Sequence, residues 1–462
     1  MPTNRQGLRG IAVLDVGATN AKALLFDDSL TLLAEESVPS GRREGPPYLH
    51  IESEPLLKFV HNILPQFDSI RPIDAIVPCT HGSAAALLDH AGELILPIMS
   101  YEAEPPPAIV EGYAAIAPEF GEVFAPTNPL GLTLARQLYW QETIFPHAFS
   151  NTSAILPLAQ YLAFRLCGRK ANEVSAMGAQ THLWAPSTKD YSRLARERGW
   201  ASRFPPLRPA WEVLGSARGL ALRGAGRVLN GVHDSNANLL LYLRGESCTL
   251  LSTGTWIIGF VQGVDLMTLD PAFDQVSNTT VFGDPIASCR FMGGREFEII
   301  ADGAPPHLGT SETVCGLLAR GVAAWPSFTA SGGPAPQTMG KGRVEGDLHD
   351  TGERASLASL YCAQMSALAL RKIGSTNRVI VDGPFSDNDA FLEALAACLP
   401  AQEVFSSEVA NGTAVGAASL ALIAGAKAAP HEMSLRRIEA PRELSENAAL
   451  ASWFVQIGRL TS

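Results

Sequence analysis

The sequence predicts an α/β chain of two similarly built domains, on three observations. The length of 462 residues exceeds what one ordinary core absorbs. Strand-like and helix-like apolar periods alternate along it. The opening stretch "RGIAVLDVGATNAKALLFDD", read as strand, Gly-containing turn and strand, is echoed by "CTLLSTGTWIIGFV" at 248–261. Each hairpin starts a block of roughly 200 residues, as a duplicated unit would. The expected division is 1–244 and 245–430, with 431–462 as a tail of unassigned place.

The segment "IDAIVPCTHGSAAALLDHAGELILP" reads as strand, loop, strand and turn, with "AGE" at the tip. From 130 to 166 the spacing predicts helix, because "LARQLYWQE" and "LPLAQYLAFRL" repeat apolar residues at three and four. The proline- and arginine-rich stretch 203–227 reads as an irregular surface excursion. In the second block, "RVIVDGPFSDNDAFLEALAACLP" is strand, loop and helix, and "SGGPAPQTMGKGRVEGD" is a Gly/Pro-rich loop. A small-residue helix is expected from 411 to about 426.

Composition narrows the function. Hydrophobic residues are 46% and charged residues 18%, so a packed interior is expected and a disordered chain is not. The net charge of −11, without a long basic run, argues against nucleic acid or anionic membrane as partner. Seven cysteines, scattered and without a C-x-x-C pair, argue against a disulfide framework or structural zinc and for a reducing cytoplasm. No charge falls between Glu408 and Lys427, but Ala, Gly, Ser and Thr dominate there, which suits a closely packed helix better than a membrane span. Near the N-terminus, Asp15 and Gly17 interrupt the apolar run too early for a signal peptide.

The candidate chemistry lies in turns. In "DVGATNAK", Gly17 admits a close backbone, Thr19 and Asn20 offer hydrogen bonds, Lys22 supplies a cation, and Asp15 could hold Mg²⁺ through water. An ordinary hairpin turn uses the same residue types for geometry alone. Gly254 and Thr255 in "STGTW" carry the same two readings; the presence of one such turn per domain favours a polyphosphate. His81 and Gly82 in "CTHGS" leave a strand for a loop, where a histidine can serve a hydroxyl or simply the structure. In "GVHDSNANLL", Asp234 is either a helix N-cap, typically contributing about 1 kcal/mol, or a general base.

Taken in order, "DVGATNAK", "THGSAAALLD", "GVHDSNANLL", "STGTW", "IVDGPFSDN" and "EVANGTAVGAA" resemble the FGGY carbohydrate kinases, nearest the rhamnulokinase and fuculokinase side, over residues 11 to about 425. That resemblance implies two ribonuclease H-like domains of the actin-like ATPase fold with an interdomain cleft. It implies ATP and Mg²⁺ as cofactors and a sugar, favoured as a ketose such as a 6-deoxyketohexose, as the small-molecule substrate. Asp234 then falls on the catalytic base; His81, Gly82, His233 and Ser235 fall on the sugar. Asp15, Gly17, Thr19, Asn20, Lys22, Gly254, Thr255, Asn278, Gly383 and Asn388 fall on the nucleotide, with Asp15 holding the water-mediated Mg²⁺. A homodimer stays compatible with this reading.

Three departures from the family stand out. Asp382-Gly383-Pro384-Phe385 occupies a glycine-rich position beside the adenine, Gln137 stands where many relatives have lysine, and Ala18 stands where some have serine or threonine. They keep a second expectation open: a catalytically weak sugar- or nucleotide-binding sensor on the same fold. A chaperone or acyl-phosphate kinase of that superfamily fits "GVHDS" and "STGTW" less well.

Overall fold

A computed structural model describes residues 8–243, 245–330, 332–425 and 433–460. The chain forms two compact units, neither of them one continuous segment. The first comprises 1–241, 277–285 and 411–431; the second comprises 242–276, 286–410 and 432–462. The expected boundaries after 244 and after 430 fall at residues outside those described.

The first unit is built on a mixed sheet. Gly10–Val16 pairs antiparallel with Asn20–Phe26, which pairs antiparallel with Leu32–Pro39. On its other side Gly10–Val16 runs parallel to Ile73–Thr80, which in turn runs parallel to Arg227–Leu229 and Val232–His233. Ile73–Thr80 is buried at every residue, the pattern of a strand covered on both faces. Its core joins Leu14, Val16, Ile76 and Leu25 to Leu57, Val60 and Leu64 of the helix Ser53–Ile70 and to Tyr161 and Leu162 of the helix Leu158–Cys167.

The second unit repeats the plan. Cys248–Thr253 pairs antiparallel with Ile257–Val261, which pairs with Pro285–Phe291, while Cys248–Thr253 runs parallel to Arg378–Asp382, followed by parallel Val404–Ser407 and antiparallel Leu435–Ile438. The echoed hairpins of the sequence therefore occupy equivalent places in two sheets of one topology. The stretch after 430 adds the strand Leu435–Ile438 and the helix Ala448–Leu460, whose Trp453 ring stacks on Trp325 at 6.1 Å.

Three local expectations are corrected. The stretch 130–166 is not continuous helix: helices Leu134–Ile144 and Leu158–Cys167 are separated by a short helix and the strand Ala154–Pro157, which pairs with Ala85–Leu88. The apolar spacing there is that of a buried strand too short to announce itself. The "AGE" turn forms, with Gly92 N–H donating to Asp89 O and Leu88 bridging antiparallel to Leu94, but the longer ladder of Ala85–Leu88 is made with Ala154–Pro157. Within 203–227 lies an edge strand, Val213–Ser216, paired with Arg227–Leu229. It is short, half exposed and contains a glycine, so no alternation marks it.

The small-residue helix is Gly412–Ala424, and the reason for its composition is contact. A Cβ at Gly416 would lie 1.9 Å from Ala237 O, on the helix that begins at Asp234. Among the described residues no helix is long and apolar enough to cross a membrane. All seven cysteines are free, six of them buried.

One buried histidine gives the first unit a pH dependence. His182 Nδ1 accepts from Tyr113 Oη at 2.9 Å, Nε2 faces Ala125 O at 3.1 Å, and burial lowers its pKa to about 4. The unfolded chain binds a proton below about 6.5 and the folded chain does not until about 4, so stability is lost as pH falls through that window, by of order 3 kcal/mol. Chemical denaturation at pH 7 and pH 5 should show that slope, and His182→Asn should flatten it.

Candidate functional site

Register brings the first group of residues together. Asp15 lies opposite Cys79 and Val16 opposite Thr80, while on the far side Val232 lies opposite Cys79 and His233 opposite Thr80. Three parallel strands therefore end at one level, and Asp15, His81 and Asp234 sit at or just past those ends. Carboxyl ends of parallel strands are where open α/β sheets place their ligands.

Asp234 is not the N-cap. His233, with extended backbone, occupies that position without a side-chain cap bond, and Asp234 is the first residue of the helix Asp234–Leu240. Its Oδ1 accepts from Ser235 N at 2.5 Å and from Ser235 Oγ at 3.2 Å. Oδ2 has no partner among the described residues, and the side chain is 30% exposed, so one oxygen is anchored and the other is open to a ligand. His233 Nδ1 stands 3.4 Å from Oδ1, outside hydrogen-bond geometry.

The charge of Asp234 reaches its neighbours. Burial, then Asp234, pushes the Asp15 carboxyl up to about 7, with Lys22 opposing. A cation near Asp15 would reverse that penalty, and a Mg²⁺ keeping its water shell needs only one or two carboxylates, so these residues fit it. Lys22 lies across the hairpin from Asp15 and pairs with Glu35 at 2.9 Å. Burial lowers the pKa of His81, which leaves the ring neutral. Its Nδ1 lies 2.8 Å from Gly82 O and must donate there, so Nε2 carries the lone pair and can accept from a hydroxyl.

His81 lines a cavity of about 200 Å³ together with Gly17, Ser40, Arg42, Ser100 and Tyr101, and its ring meets Tyr101 edge-on at 5.2 Å. The cavity is also lined by an apolar group, Val38, Ile51, Leu56 and Phe59. Arg42 is held in an ion pair with Glu102. Sequence reading missed Tyr101, Arg42 and this apolar group, since they come from a strand end, a helix and a loop with no motif.

The turn glycines divide by cause. A Cβ at Gly17 would meet only Asn20 O, at 3.4 Å, and one at Gly254 only Trp256 O, at 3.8 Å; neither has positive φ. The protein's own packing does not demand glycine at either turn. Within the first turn Gly17 N–H donates to Asn20 O, and Thr19 O accepts from Ser40 N. Gly82 is the opposite case, because a Cβ there would lie 2.6 Å from His233 Nε2. It makes room for that ring.

In the second unit Thr255 follows Gly254 in the turn, and Gly294, at the start of the helix Gly293–Ala301, packs so close that its Cβ would lie 2.2 Å from Gly254 O. Thr253 Oγ1 donates to Asp382 O at 2.6 Å and accepts from Phe385 N at 3.1 Å, tying this hairpin to the loop at Gly383. Phe385 does not add bulk to that loop's surface. Its ring is buried against Phe297 and Phe391, at 5.5 and 4.9 Å. Pro384 opens a 3-10 turn, where a missing N–H costs nothing. Asn388 caps the helix Asp389–Cys398 through Phe391 N and donates to Ser359 Oγ, so its amide serves the fold. Asn278 is buried in the strand Gln275–Thr279, in the stretch that belongs to the first unit. Gln137 is likewise structural: its amide clamps Ser83 O and Gly131 O, both at 2.6 Å.

Comparison with known proteins agrees across the chain. Residues 245–434 match the family model described as carbohydrate kinase FGGY, C-terminal domain. A carbohydrate kinase from Novosphingobium aromaticivorans is 31% identical with a TM-score of 0.86, the match covering 98% of this chain and 100% of that one. The L-fuculokinase of Escherichia coli (strain K12) is 23% identical over 271 residues, 56% of this chain and 57% of that protein, so the chain spans little more than half of that curated relative. A ligand-bound xylulose kinase from Lactobacillus acidophilus, 15% identical, has a TM-score of 0.77 with 97% and 98% coverage, which shows a shared fold.

The turn glycines should respond differently to substitution. Gly17→Ala and Gly254→Ala should leave the melting temperature within about 2 °C while raising the KM for ATP. Gly383→Ala, at φ +92° with Thr253 O at 2.2 Å from its Cβ, should destabilise by roughly 2–4 kcal/mol in a denaturation titration.

Proposed function

Since the chain belongs to the FGGY carbohydrate kinase family, with that family's two-domain actin-like ATPase fold, we propose that it transfers the γ-phosphoryl group of ATP to a hydroxyl of a ketose. The observation that carries the proposal is the shared level at which three parallel strands end, with Asp15, His81 and Asp234 at or just past those ends and His81 lining a cavity beside them.

In this reading Asp234 is the general base. Its anchored Oδ1 fixes the carboxylate and its open Oδ2 takes the proton of the attacking hydroxyl as the new P–O bond forms. Neutral His81 accepts a hydrogen bond from a second hydroxyl through Nε2, orienting the sugar. The turns at Gly17 and Gly254 let backbone amides approach phosphate oxygens. Asp15 would hold Mg²⁺ through water, and that ion supplies neutralisation of phosphate charge.

The apolar lining of Val38, Ile51, Leu56 and Phe59 favours an acceptor with an apolar end, hence a 6-deoxyketohexose over a fully hydroxylated sugar. An L-fuculokinase among the relatives fits that choice. Of the departures that motivate the sensor alternative, the tolerated proline at 384, the buried ring of Phe385 and the structural amide of Gln137 give it no support. A cytoplasmic place and a homodimer belong to the same proposal.

The test is ADP release from ATP and Mg²⁺ with a panel of 6-deoxyketohexoses, xylulose and glycerol. Sugar-dependent release, highest for a 6-deoxyketohexose, is expected; sugar binding without release would establish the sensor instead. Asp234→Asn should cut turnover roughly a hundredfold or more with ATP binding retained in calorimetry. Lys22→Ala should raise the KM for ATP with little change in melting temperature, because an exposed ion pair such as Lys22–Glu35 typically contributes under about 1 kcal/mol. Unchanged kinetics would make the opening hairpin purely structural.

A further inference from the structure

Behind the strand end that carries Asp234 lies a buried polar frame that the proposed chemistry does not use. Glu173 is completely buried at the start of the short helix Val174–Gly178. Its Oε2 accepts from Ala176 N at 3.0 Å and from Ser175 Oγ at 2.5 Å. Ser175, also fully buried, accepts in turn from His233 N at 3.4 Å. His233 is the residue from which the helix Asp234–Leu240 starts.

The same frame grips the preceding residues. Asn230 Nδ2 donates to Asn172 O at 3.0 Å, Gln160 Nε2 donates to Asn230 O at 3.1 Å, and Glu173 N donates to Asn172 Oδ1 at 2.9 Å. A Cβ at Gly231, which has φ +92°, would lie 2.7 Å from Pro78 O, so the chain passes through this point in one conformation.

We propose that Glu173 is a positioning residue for phosphoryl transfer, fixing the aim of Asp234 through Ser175 and the backbone at His233. A serine hydroxyl has one proton. With that proton committed to Glu173, the oxygen presents only lone pairs to His233 N–H. Without an acceptor at position 173 the hydroxyl rotates, the bond to His233 is lost, and the first turn of the Asp234 helix is free to shift. A cap alone does not call for glutamate, since Ser, Thr, Asp or Asn cap without burying a long carboxylate. Burial pushes the Glu173 carboxyl up to about 7, against the hydrogen bonds from Ser175 and Ala176. Its Oε1 has no partner among the described residues, so the side chain is kept for what Oε2 does.

The inference rests on Asp234 as base, and the experiment separates the two. Kinetics with ATP and the panel ketose of highest kcat/KM are compared for Glu173→Ala, Glu173→Gln, Ser175→Ala and Asp234→Asn. Glu173→Ala and Ser175→Ala should each lower kcat roughly ten- to a hundredfold, as misplaced groups do, with the KM for ATP within about twofold of wild type. Combining them should cost no more than the worse single change. Glu173→Gln, whose amide oxygen accepts the same two bonds, should stay within about threefold of wild-type kcat. If Glu173→Ala does not fold, Ser175→Ala against Glu173→Gln decides. Wild-type kcat in Ser175→Ala, or equal damage from Glu173→Gln and Glu173→Ala, would overturn the proposal. Wild-type turnover in Asp234→Asn removes the base and this proposal with it; an inactive Asp234→Asn beside an unaffected Ser175→Ala removes the proposal alone.

Discussion

The structure of the first unit depends on one constraint: the parallel register of Gly10–Val16, Ile73–Thr80 and Val232–His233. Side chains alternate along a strand and a slip of one residue turns each to the other face. Here the register is held from both sides, by a strand buried at every residue and by the 2.7 Å approach that excludes a side chain at Gly231. Asp15, His81 and Asp234 are far apart in sequence, yet they become neighbours because three strands stop together. The helix Gly412–Ala424 supports the arrangement from behind, its Gly416 seated against the carbonyl of Ala237.

Crowding negative charge at those strand ends has a cost and a use. Asp15 feels both burial and the charge of Asp234, and its carboxyl holds its proton to about pH 7 in the absence of a cation. Such a pair relaxes when positive charge arrives nearby. Glu173 is a second buried carboxyl pushed up to about 7, but it faces inward, toward the backbone that carries Asp234.

Glycines show where the two units spend conformational freedom. Those at 82, 231, 383 and 416 are forced by neighbours of the same unit, a ring or a carbonyl oxygen too near for any Cβ. Those at 17 and 254 are not, and both lie in the turns of equivalent hairpins, one in each unit. The duplicated hairpin is thus repeated in its unexplained glycine as well as in its topology. Phe385 belongs to the forced class: it closes a cluster with Phe297 and Phe391, which accounts for an aromatic residue in an otherwise small-residue loop.

The sequence alone determined the α/β class, the two hairpins, the small-residue helix and the residues of the turns, because strand alternation, helical spacing and turn glycines are local properties of the chain. It could mark Asp234 and His81 without deciding between cap and base, or between ring tautomers. Tertiary structure adds that His233 rather than Asp234 takes the cap position, that Gly82 O fixes the tautomer of His81, and that Gly82 itself accommodates a ring. The strands Ala154–Pro157 and Val213–Ser216, the Arg42–Tyr101 cavity and the Glu173–Ser175–His233 frame left no readable trace. Each consists of contacts between segments remote in sequence, and a pattern read along one segment holds no information about the partner it will meet.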